Sequence, residues 1–140
     1  MASPISNSDA AISIANSALR AQQARMRIIA ENIANSDSIA TTPGGTPYQR
    51  QVPVFQPATT DDGGKGVRMV GVRPDGTPFH REYNPSAPGA DAQGYLMTPN
   101  VDPLTEGMDL KEAQRAYEAN LNVIQAMNSM ESRTLDLIKK

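Results

Sequence analysis

The fold is decided by residues 8–35, which read SDAAISIANSALRAQQARMRIIAENIAN. This stretch contains no proline and no glycine, so nothing in it interrupts a helix. Ser6 and Asp9 have the spacing of a capping box at its start. The sequence therefore predicts one long amphipathic helix from Ser8 to Asn35. Its seam has alternating steps of three and four, typical of a heptad pattern, and consists of Ile12, Ala15, Leu19, Gln22, Met26, Ile29 and Ile33.

The C-terminal stretch has the same character and predicts a second long helix over residues 104–140. Asp102 can cap this helix, and Pro103 suits its first turn. Gly107 is a weak point, costing about 1 kcal/mol relative to alanine. The apolar stripe again steps by threes and fours and consists of Leu110, Ala113, Tyr117, Asn120, Ile124 and Met127.

The middle of the chain, residues 36–103, has a different composition. It holds all but one of the 10 glycines and all but one of the 11 prolines, which predicts turns and loops rather than long elements. Turn signals include Asp61–Gly64, where two acidic residues precede two glycines. We expect a strand over Tyr48–Val54, kept at a sheet edge by Pro53. A hairpin is expected to join Val67–Val72 and Phe79–Tyr83.

The predicted fold is therefore mainly α with a small β-rich insert. Its three segments are an N-terminal helix over residues 1–35, a loop and hairpin insert over 36–103, with the hairpin turn at Pro74–Thr77, and a C-terminal helix over 104–140. We expect the two terminal helices to pair as an antiparallel coiled-coil hairpin. Their stripes are too wide for one pairing to cover, and exposed apolar stripes usually indicate a partner.

Composition excludes several classes of protein. Aromatic residues make up only 4 % of the 140 residues, so a core built by one copy alone is expected to be thin. The net charge of −2 with mixed signs offers no basic patch for nucleic acid. There is no cysteine, which excludes disulfides and thiolate chemistry. Neither a Sec-type signal peptide nor an apolar run of about 18 residues is present, so no membrane insertion is expected.

No pattern in the sequence predicts an active site. His80 is the only histidine and cannot form a metal cluster alone. Asp61 and Asp62 precede glycines, but a calcium loop needs a glutamate at its twelfth position, where this chain has Val72. The stretch Gly63–Gly66 lacks the Ser or Thr of a phosphate loop. We therefore expect no enzyme, no cofactor, no metal and no small-molecule substrate.

Three stretches together resemble the flagellar rod and hook family of axial proteins. Ala30–Asp37 resembles the Ala-x-Asn-Ile-Ala-Asn signature of this family. Asn84–Tyr95, followed by Pro99–Asp102, resembles the stretch before the last helix in proximal rod proteins. Ala113–Asn120 resembles the C-terminal helix motif of the same proteins. The match covers nearly the whole chain.

The resemblance implies a structural subunit of the proximal rod of the flagellar basal body, a helical tube that crosses the periplasm, transmits torque and surrounds the export channel. Expected partners are further copies of the chain, other proximal and distal rod proteins, and the protein at the junction of the rod base and the MS ring. The resemblance also implies export by the flagellar type III apparatus without a cleaved signal. Residence is then periplasmic, although the residues alone suggest a cytosolic protein.

Two other hypotheses stay open on the residues. A secreted helical adaptor or needle-like protein of a type III secretion system would share this architecture, and a soluble one-to-one complex would favour it. A cell-wall hydrolase would need a placed acid pair or a metal site, and muramidase activity of the purified chain would favour it.

The candidate subunit-interface residues lie on the two helical seams, except for Asn32 and Asn35, which lie beside the end of the first seam. Asn32 and Asn35, about one turn apart, and Asn120 are polar members that can set the register of neighbouring helices or cap a helix end. Alternatively, they are polar ends of exposed turns. The expected set is Ile12, Leu19, Met26, Ile29, Asn32, Ile33, Asn35, Leu110, Tyr117, Asn120, Ile124 and Met127.

Overall fold

A computed structural model describes the backbone of residues 4–139 and the side chains of residues 7–139. Along the chain, one long helix precedes and another follows a β-rich middle, so the prediction of a mainly α chain with a small β insert is confirmed. Each of the two β-sheets has two strands, and the strands of the second sheet run antiparallel. The elements in chain order are α1 (Pro4–Ala34), β1 (Gln51–Thr59), β2 (Lys65–Pro74), β3 (His80–Tyr83), β4 (Tyr95–Thr98) and α2 (Pro103–Ile138).

Helix α1 begins at Pro4, four positions earlier than predicted. Proline fits the first turn of a helix, because its missing N–H has no intrahelical acceptor there. The predicted capping box depends on the side chain of Ser6, which lies outside the described side chains. At the other end, the backbone N–H of Asn35 donates to Glu31 O at 3.1 Å and its side-chain Nδ2 donates to the same oxygen at 2.9 Å. The helix therefore ends where the signature motif ends.

Helix α2 begins as predicted, with Asp102 as its cap. The backbone N–H of Leu104 donates to Asp102 Oδ1 at 3.1 Å, and the Thr105 hydroxyl donates to Oδ2 at 2.6 Å. The Thr105 hydroxyl and then the Leu104 N–H stabilise the carboxylate and hold the pKa of Asp102 below its usual value. Pro103 is the first helical residue.

A tight turn joins β1 to β2 at the predicted position, Asp61–Gly64. The backbone N–H of Thr60 donates to Gly64 O at 2.8 Å, and the N–H of Gly63 donates to Thr60 O at 2.9 Å. Gly63 has a φ of 77°, a conformation that favours glycine. Strand β1 begins at Gln51 rather than at Tyr48, because the residues before it are committed to a polar cluster described below.

The predicted hairpin around Pro74–Thr77 is wrong. Strand β2 pairs with β1, and β3 pairs with β4, which sequence analysis did not predict, in a register that places His80 opposite Thr98 and Tyr83 opposite Tyr95. The Pro74–Thr77 turn is instead held by hydrogen bonds to residues elsewhere in the chain. Asp75 donates its backbone N–H to Arg50 O at 2.8 Å, so the segment extends the β1–β2 pairing and does not fold back into β3.

The chain forms two compact units, each built from parts of all three predicted segments. Unit 1 comprises the chain up to Met26, Val54–Gly71 and the chain from Lys111; unit 2 comprises Arg27–Pro53 and Val72–Leu110. The predicted domain boundaries after residues 35 and 103 stay a prediction. No helix in the described part of the chain, residues 4–139, is long and apolar enough to cross a membrane.

The buried apolar residues differ between the units. In the described part of unit 1 they are all alanines, namely Ala15, Ala21 and Ala113. In unit 2 larger side chains are buried, namely Ile28, Ile29, Leu96 and Val101, together with Ala40. Burial of apolar area contributes about 25 cal/mol per Å², so alanines alone give unit 1 little stabilisation within one copy.

Candidate assembly surfaces and a buried polar cluster

Among the described side chains, the most buried polar ones meet in unit 2. Asn32 near the end of α1 and Glu106 in the first turns of α2 are each 1 % exposed. Arg50, just before β1, donates from Nε to Glu106 Oε1 and from Nη1 to Asp75 Oδ2 at 3.0 Å. Its Nη2 lies 3.8 Å from Asp109 Oδ2. Charge-assisted bonds of this kind are stronger than neutral ones, and here they join three chain segments.

Asn32 uses its whole hydrogen-bonding capacity within the chain. Its Nδ2 donates to Gln51 O at 2.9 Å and to Glu106 Oε2 at 3.3 Å. Its Oδ1 accepts from the Tyr48 hydroxyl and from the Gln51 N–H, both at 2.9 Å. A side-chain amide offers two donors and two acceptor sites, so no polar group of Asn32 is left over for a second copy.

Asn100 plays a similar part beside the turn that follows β2. Its Oδ1 accepts the N–H of Arg50 at 2.8 Å, while Nδ2 donates to Thr77 O at 2.9 Å and to Asp75 O at 3.3 Å. These backbone groups lie outside the sheets and would cost free energy if buried without partners. Asn100 therefore supplies partners for backbone groups around this turn that have no strand pairing.

The charges of this cluster shift the pKa of its members. Burial lowers the pKa of Arg50, but the hydrogen bonds and charges of Glu106 and Asp75 together outweigh it, and the net pKa is raised. The Thr77 hydroxyl and N–H, followed by the Arg50 guanidinium, hold the pKa of Asp75 below its usual value. Burial, then the charges of Glu31 and Glu106, raises the pKa of Tyr48. The raised pKa of Arg50 and the lowered pKa of Asp75 both favour the charged forms of this ion pair at neutral pH.

In unit 1 the tip of the β1–β2 hairpin lies on α1. The Ser13 hydroxyl donates to Asp62 Oδ2, and the Val67 N–H donates to Ser17 Oγ at 3.1 Å. Two glycines permit this approach: a Cβ at Gly64 would lie 2.8 Å from Ile14 Cγ1, and one at Gly66 would overlap Ser17 Oγ. A salt bridge between Arg25 and Glu112, at 3.6 Å, joins α1 to α2 in the same unit.

Sequence analysis missed most of the polar cluster. Glu106 stands four positions before Leu110, so it continues the α2 stripe, and a carboxylate in an apolar stripe is a signal of a buried partner. Asn100 lies in the Pro99–Val101 run that carried the family resemblance. Nothing in the sequence distinguishes Arg50 or Asp75 from ordinary surface charges. His80, considered for chemistry, is exposed, and no group of three or more potential metal ligands occurs among the described residues.

The candidate interface residues fall into three groups in the structure. Ile29 and Asn32 are buried within one copy, and the structure brings Asn32 together with Glu106. Asn35 and Asn120 bond to backbone oxygens of their own helices, at Glu31 and Ala116. The rest of the set is half-buried and consists of Ile12, Leu19, Met26, Ile33, Leu110, Tyr117, Ile124 and Met127.

Large apolar side chains are exposed on both units. Those on α2 within unit 1 lie in its C-terminal half and are Val123, Met130, Leu135, Leu137 and Ile138. Those in unit 2 are Ile39, Val72, Tyr83, Tyr95, Leu104 and Met108. A contiguous apolar surface on one copy generally indicates an interaction site.

Comparison with known proteins identifies similar chains. A family model described as "Flagella basal body rod protein" matches residues 12–38, and one described as "Flagellar basal body rod FlgEFG protein C-terminal" matches residues 92–137. The flagellar basal-body rod protein FlgC of Agrobacterium fabrum is 42 % identical over 133 residues, covering 93 % of this chain and 94 % of that protein.

More distant relatives cover the chain to a similar extent. FlgC of Salmonella typhimurium is 41 % identical over 125 residues, covering 89 % of this chain and 92 % of that protein. FlgC of Bacillus subtilis is 33 % identical over 144 residues, covering 91 % of this chain and 96 % of that protein. The similarity therefore includes both helices and the β-rich middle.

Proposed function

The chain belongs to the FlgC family of flagellar basal-body rod proteins, and from this premise we propose how it builds the rod. It is a structural, non-enzymatic subunit of the basal body that assembles with other rod proteins. The terminal helices pair as an antiparallel coiled-coil hairpin, and hairpins of neighbouring subunits pack together around the export channel of the proximal rod. The rod then transmits torque through these contacts.

The observation that carries this proposal is the contrast within unit 1. Its buried apolar residues in the described part are alanines, while Met130, Leu135 and Leu137 of α2 are exposed. A helix that buries so little in one copy gains most of its stabilisation from neighbours, since packing of an amphipathic face stabilises helices more than propensity does. Assembly then completes the core that one copy lacks.

In each unit one contact joins the two helices, which supports their pairing. In unit 2, Asn32 of α1 donates to Glu106 of α2 at 3.3 Å. In unit 1, Arg25 of α1 lies 3.6 Å from Glu112 of α2.

We also propose which residues contact neighbouring subunits, which proteins are partners and where the chain resides. The half-buried seam residues, such as Leu19 and Ile124, form contacts between subunits. Partners are further copies of the chain, proximal and distal rod proteins, and the protein between the rod base and the MS ring. The chain leaves the cytoplasm through the flagellar type III apparatus without a cleaved signal and resides in the periplasmic rod. The segments 1–35 and 104–140 act as the core, and 36–103 as the outer insert.

Mass spectrometry of purified hook–basal bodies tests the proposal. We expect the chain in several copies per particle, with its N-terminal residues uncleaved, and loss of both rod and motility when the gene is deleted. Intact basal bodies without the chain, and recovery of the chain only as a soluble one-to-one complex, would contradict it. That outcome would favour a secreted adaptor, which the family comparison does not.

A further inference from the structure

One polar side chain lies in the most regular apolar row of α1. Gln22 stands seven positions after Ala15 and seven before Ile29, and both of these residues are only 4 % exposed. Seven residues make almost two full helical turns, so the three side chains lie in one row along the helix. Gln22 is half-buried, whereas its neighbour Gln23 is exposed.

The amide of Gln22 has a buried atom without a hydrogen bond. Among the described side chains, its Oε1 is the buried oxygen that has no hydrogen-bond partner. Rotating the amide by half a turn would bury Nε2 instead, and a buried N–H without an acceptor is also costly. An unpaired buried group lowers the folding equilibrium constant by about fivefold or more. One copy is therefore less stable with Gln22 than with an apolar residue at this position.

Asn32, in the same helix, shows that the chain can satisfy a buried amide. Both its oxygen and its nitrogen are hydrogen-bonded within one copy. No described residue plays that part for Oε1 of Gln22. Methionine has a similar length and a similar helix propensity to glutamine, so the folding of one copy gives no reason for an amide in this row.

Helix α2 passes close to α1 near Gln22. Arg25, three positions after Gln22, lies 3.6 Å from Glu112, and the next residue of α2, Ala113, is fully buried. Since three residues are less than one helical turn, α2 lies beside α1 within one turn of Gln22. Gln22 as a whole stays half-buried, so part of its side chain still reaches solvent. A helix that covered this remaining part would bury more of the amide.

We propose that Gln22 is a specificity residue of α1, which excludes helix pairings that would bury its amide without a partner, including the pairing of free copies with each other. A polar residue in an apolar seam lowers stability and limits which registers and partners the helix accepts. A wholly apolar row would pair with many helices, because apolar contacts have no direction. The inference rests on the proposed function, since only a chain that assembles through its helices needs to exclude wrong pairings.

Two matched variants test the cost of the amide. Gln22→Met and Gln23→Met introduce the same side chain at neighbouring positions, one half-buried and one exposed. We expect Gln22→Met to raise the folding equilibrium constant of the purified full-length chain by about fivefold or more. Gln23→Met should leave this constant within about threefold of the natural value. Denaturant titration followed by circular dichroism measures both.

Sedimentation velocity of the same chains tests the specificity. At one protein concentration, the natural chain and Gln23→Met are expected to sediment as single copies, and Gln22→Met as dimers or larger multimers. Gln22→Leu, which introduces an apolar side chain of another shape, repeats both measurements in case methionine fits the row poorly. All of these experiments use purified chains, so none of their outcomes changes the rod assignment. That assignment depends on recovery of the natural chain from basal bodies.

Three results would overturn the proposal. If neither Gln22→Met nor Gln22→Leu is more stable than the natural chain, the amide is satisfied within one copy. If these variants are more stable but remain single copies, the amide does not restrict pairing. If the natural chain itself forms dimers at the concentration used, the amide does not prevent free copies from pairing.

Discussion

The side-chain amide of Asn32 in α1 donates a hydrogen bond to the carboxylate of Glu106 in α2 at 3.3 Å, across 74 positions of sequence. The same amide also bonds the first residue of β1, Gln51, by donating to its backbone carbonyl oxygen and accepting from its backbone N–H. One asparagine from the signature at the end of α1 thus fixes the beginning of β1 and the beginning of the second helix. Because Asn32 is buried, an apolar residue in its place would leave these polar groups without partners.

Replacement of Asn32 by alanine should destabilise the chain strongly. It would leave the Gln51 N–H, the Tyr48 hydroxyl and one Glu106 oxygen without their partner, and each buried unsatisfied group costs about 1–3 kcal/mol. We expect a loss of about 3 kcal/mol or more in the free energy of unfolding, measured by denaturant titration. Asn16→Ala, at an exposed position of the same helix, should change it by less than about 0.5 kcal/mol. Similar losses for both variants would contradict the role of Asn32.

Removal of the arginine at the centre of the cluster should have a larger effect than removal of the whole ion pair. Arg50→Met leaves Glu106 buried and uncompensated, which typically costs about 3–5 kcal/mol. The double variant Arg50→Met/Glu106→Leu removes both charges, and we expect it to recover part of that loss. Thermal and chemical unfolding of the three chains measures this. A double variant no more stable than Arg50→Met would show that Glu106 is not the group left unpaired.

The stability of the chain should decline in acid partly through Asp75. Because Thr77 and Arg50 lower its pKa in the folded state, protonation favours the unfolded chain. This contribution is complete above the unfolded pKa of about 3.9 and is lost as the pH falls through the folded value. We expect Asp75→Asn to show a shallower decline of unfolding free energy below about pH 4. An equally steep decline in the variant would contradict the assignment.

Two glycines should respond in opposite directions to alanine. Gly107→Ala should stabilise the purified chain by about 1 kcal/mol, because the new methyl group meets no atom within 4 Å. Gly63→Ala should destabilise it, because a φ of 77° disfavours residues that carry a Cβ. Thermal unfolding compares the two variants with the natural chain. If the methyl group at Gly107 blocks a neighbouring copy, the same variant will incorporate poorly into basal bodies despite its higher stability.

Charges in the helical seams should block rod assembly. Leu19→Asp and Ile124→Asp each place a carboxylate on a half-buried seam position, and an unpaired charge in an interface costs several kcal/mol. We expect non-motile cells that still export the chain into the medium or periplasm. The control Asn122→Asp changes an exposed residue of α2 and should leave motility unchanged. Normal rods in either seam variant would show that the seam does not contact neighbouring subunits.

Local sequence patterns predicted the structure correctly wherever residues close together in sequence determine it. The helices, the Asp102 cap and the turn at Asp61–Gly64 follow from periodicity, capping chemistry and glycine placement, all of which act within a few residues. The pairing of β2 was predicted incorrectly, because the turn signal at Pro74–Thr77 does not exclude that β2 pairs with the strand before it, β1. The amide of Asn100, 25 positions beyond Asp75, instead binds the carbonyl oxygens of Asp75 and Thr77 in and beside this turn.

The sequence by itself determined the two-helix architecture with its β-rich middle, the thin apolar core, and membership of a family of rod proteins. Only the tertiary structure decided that Arg50, Asp75, Asn100 and Glu106 act together, and that Tyr83 and Tyr95 form one surface with Arg81. The physical reason is the range of the interactions. Helix periodicity and turn chemistry repeat within a few residues, whereas a buried ion pair or an exposed aromatic pair exists only after segments distant in sequence have been brought together.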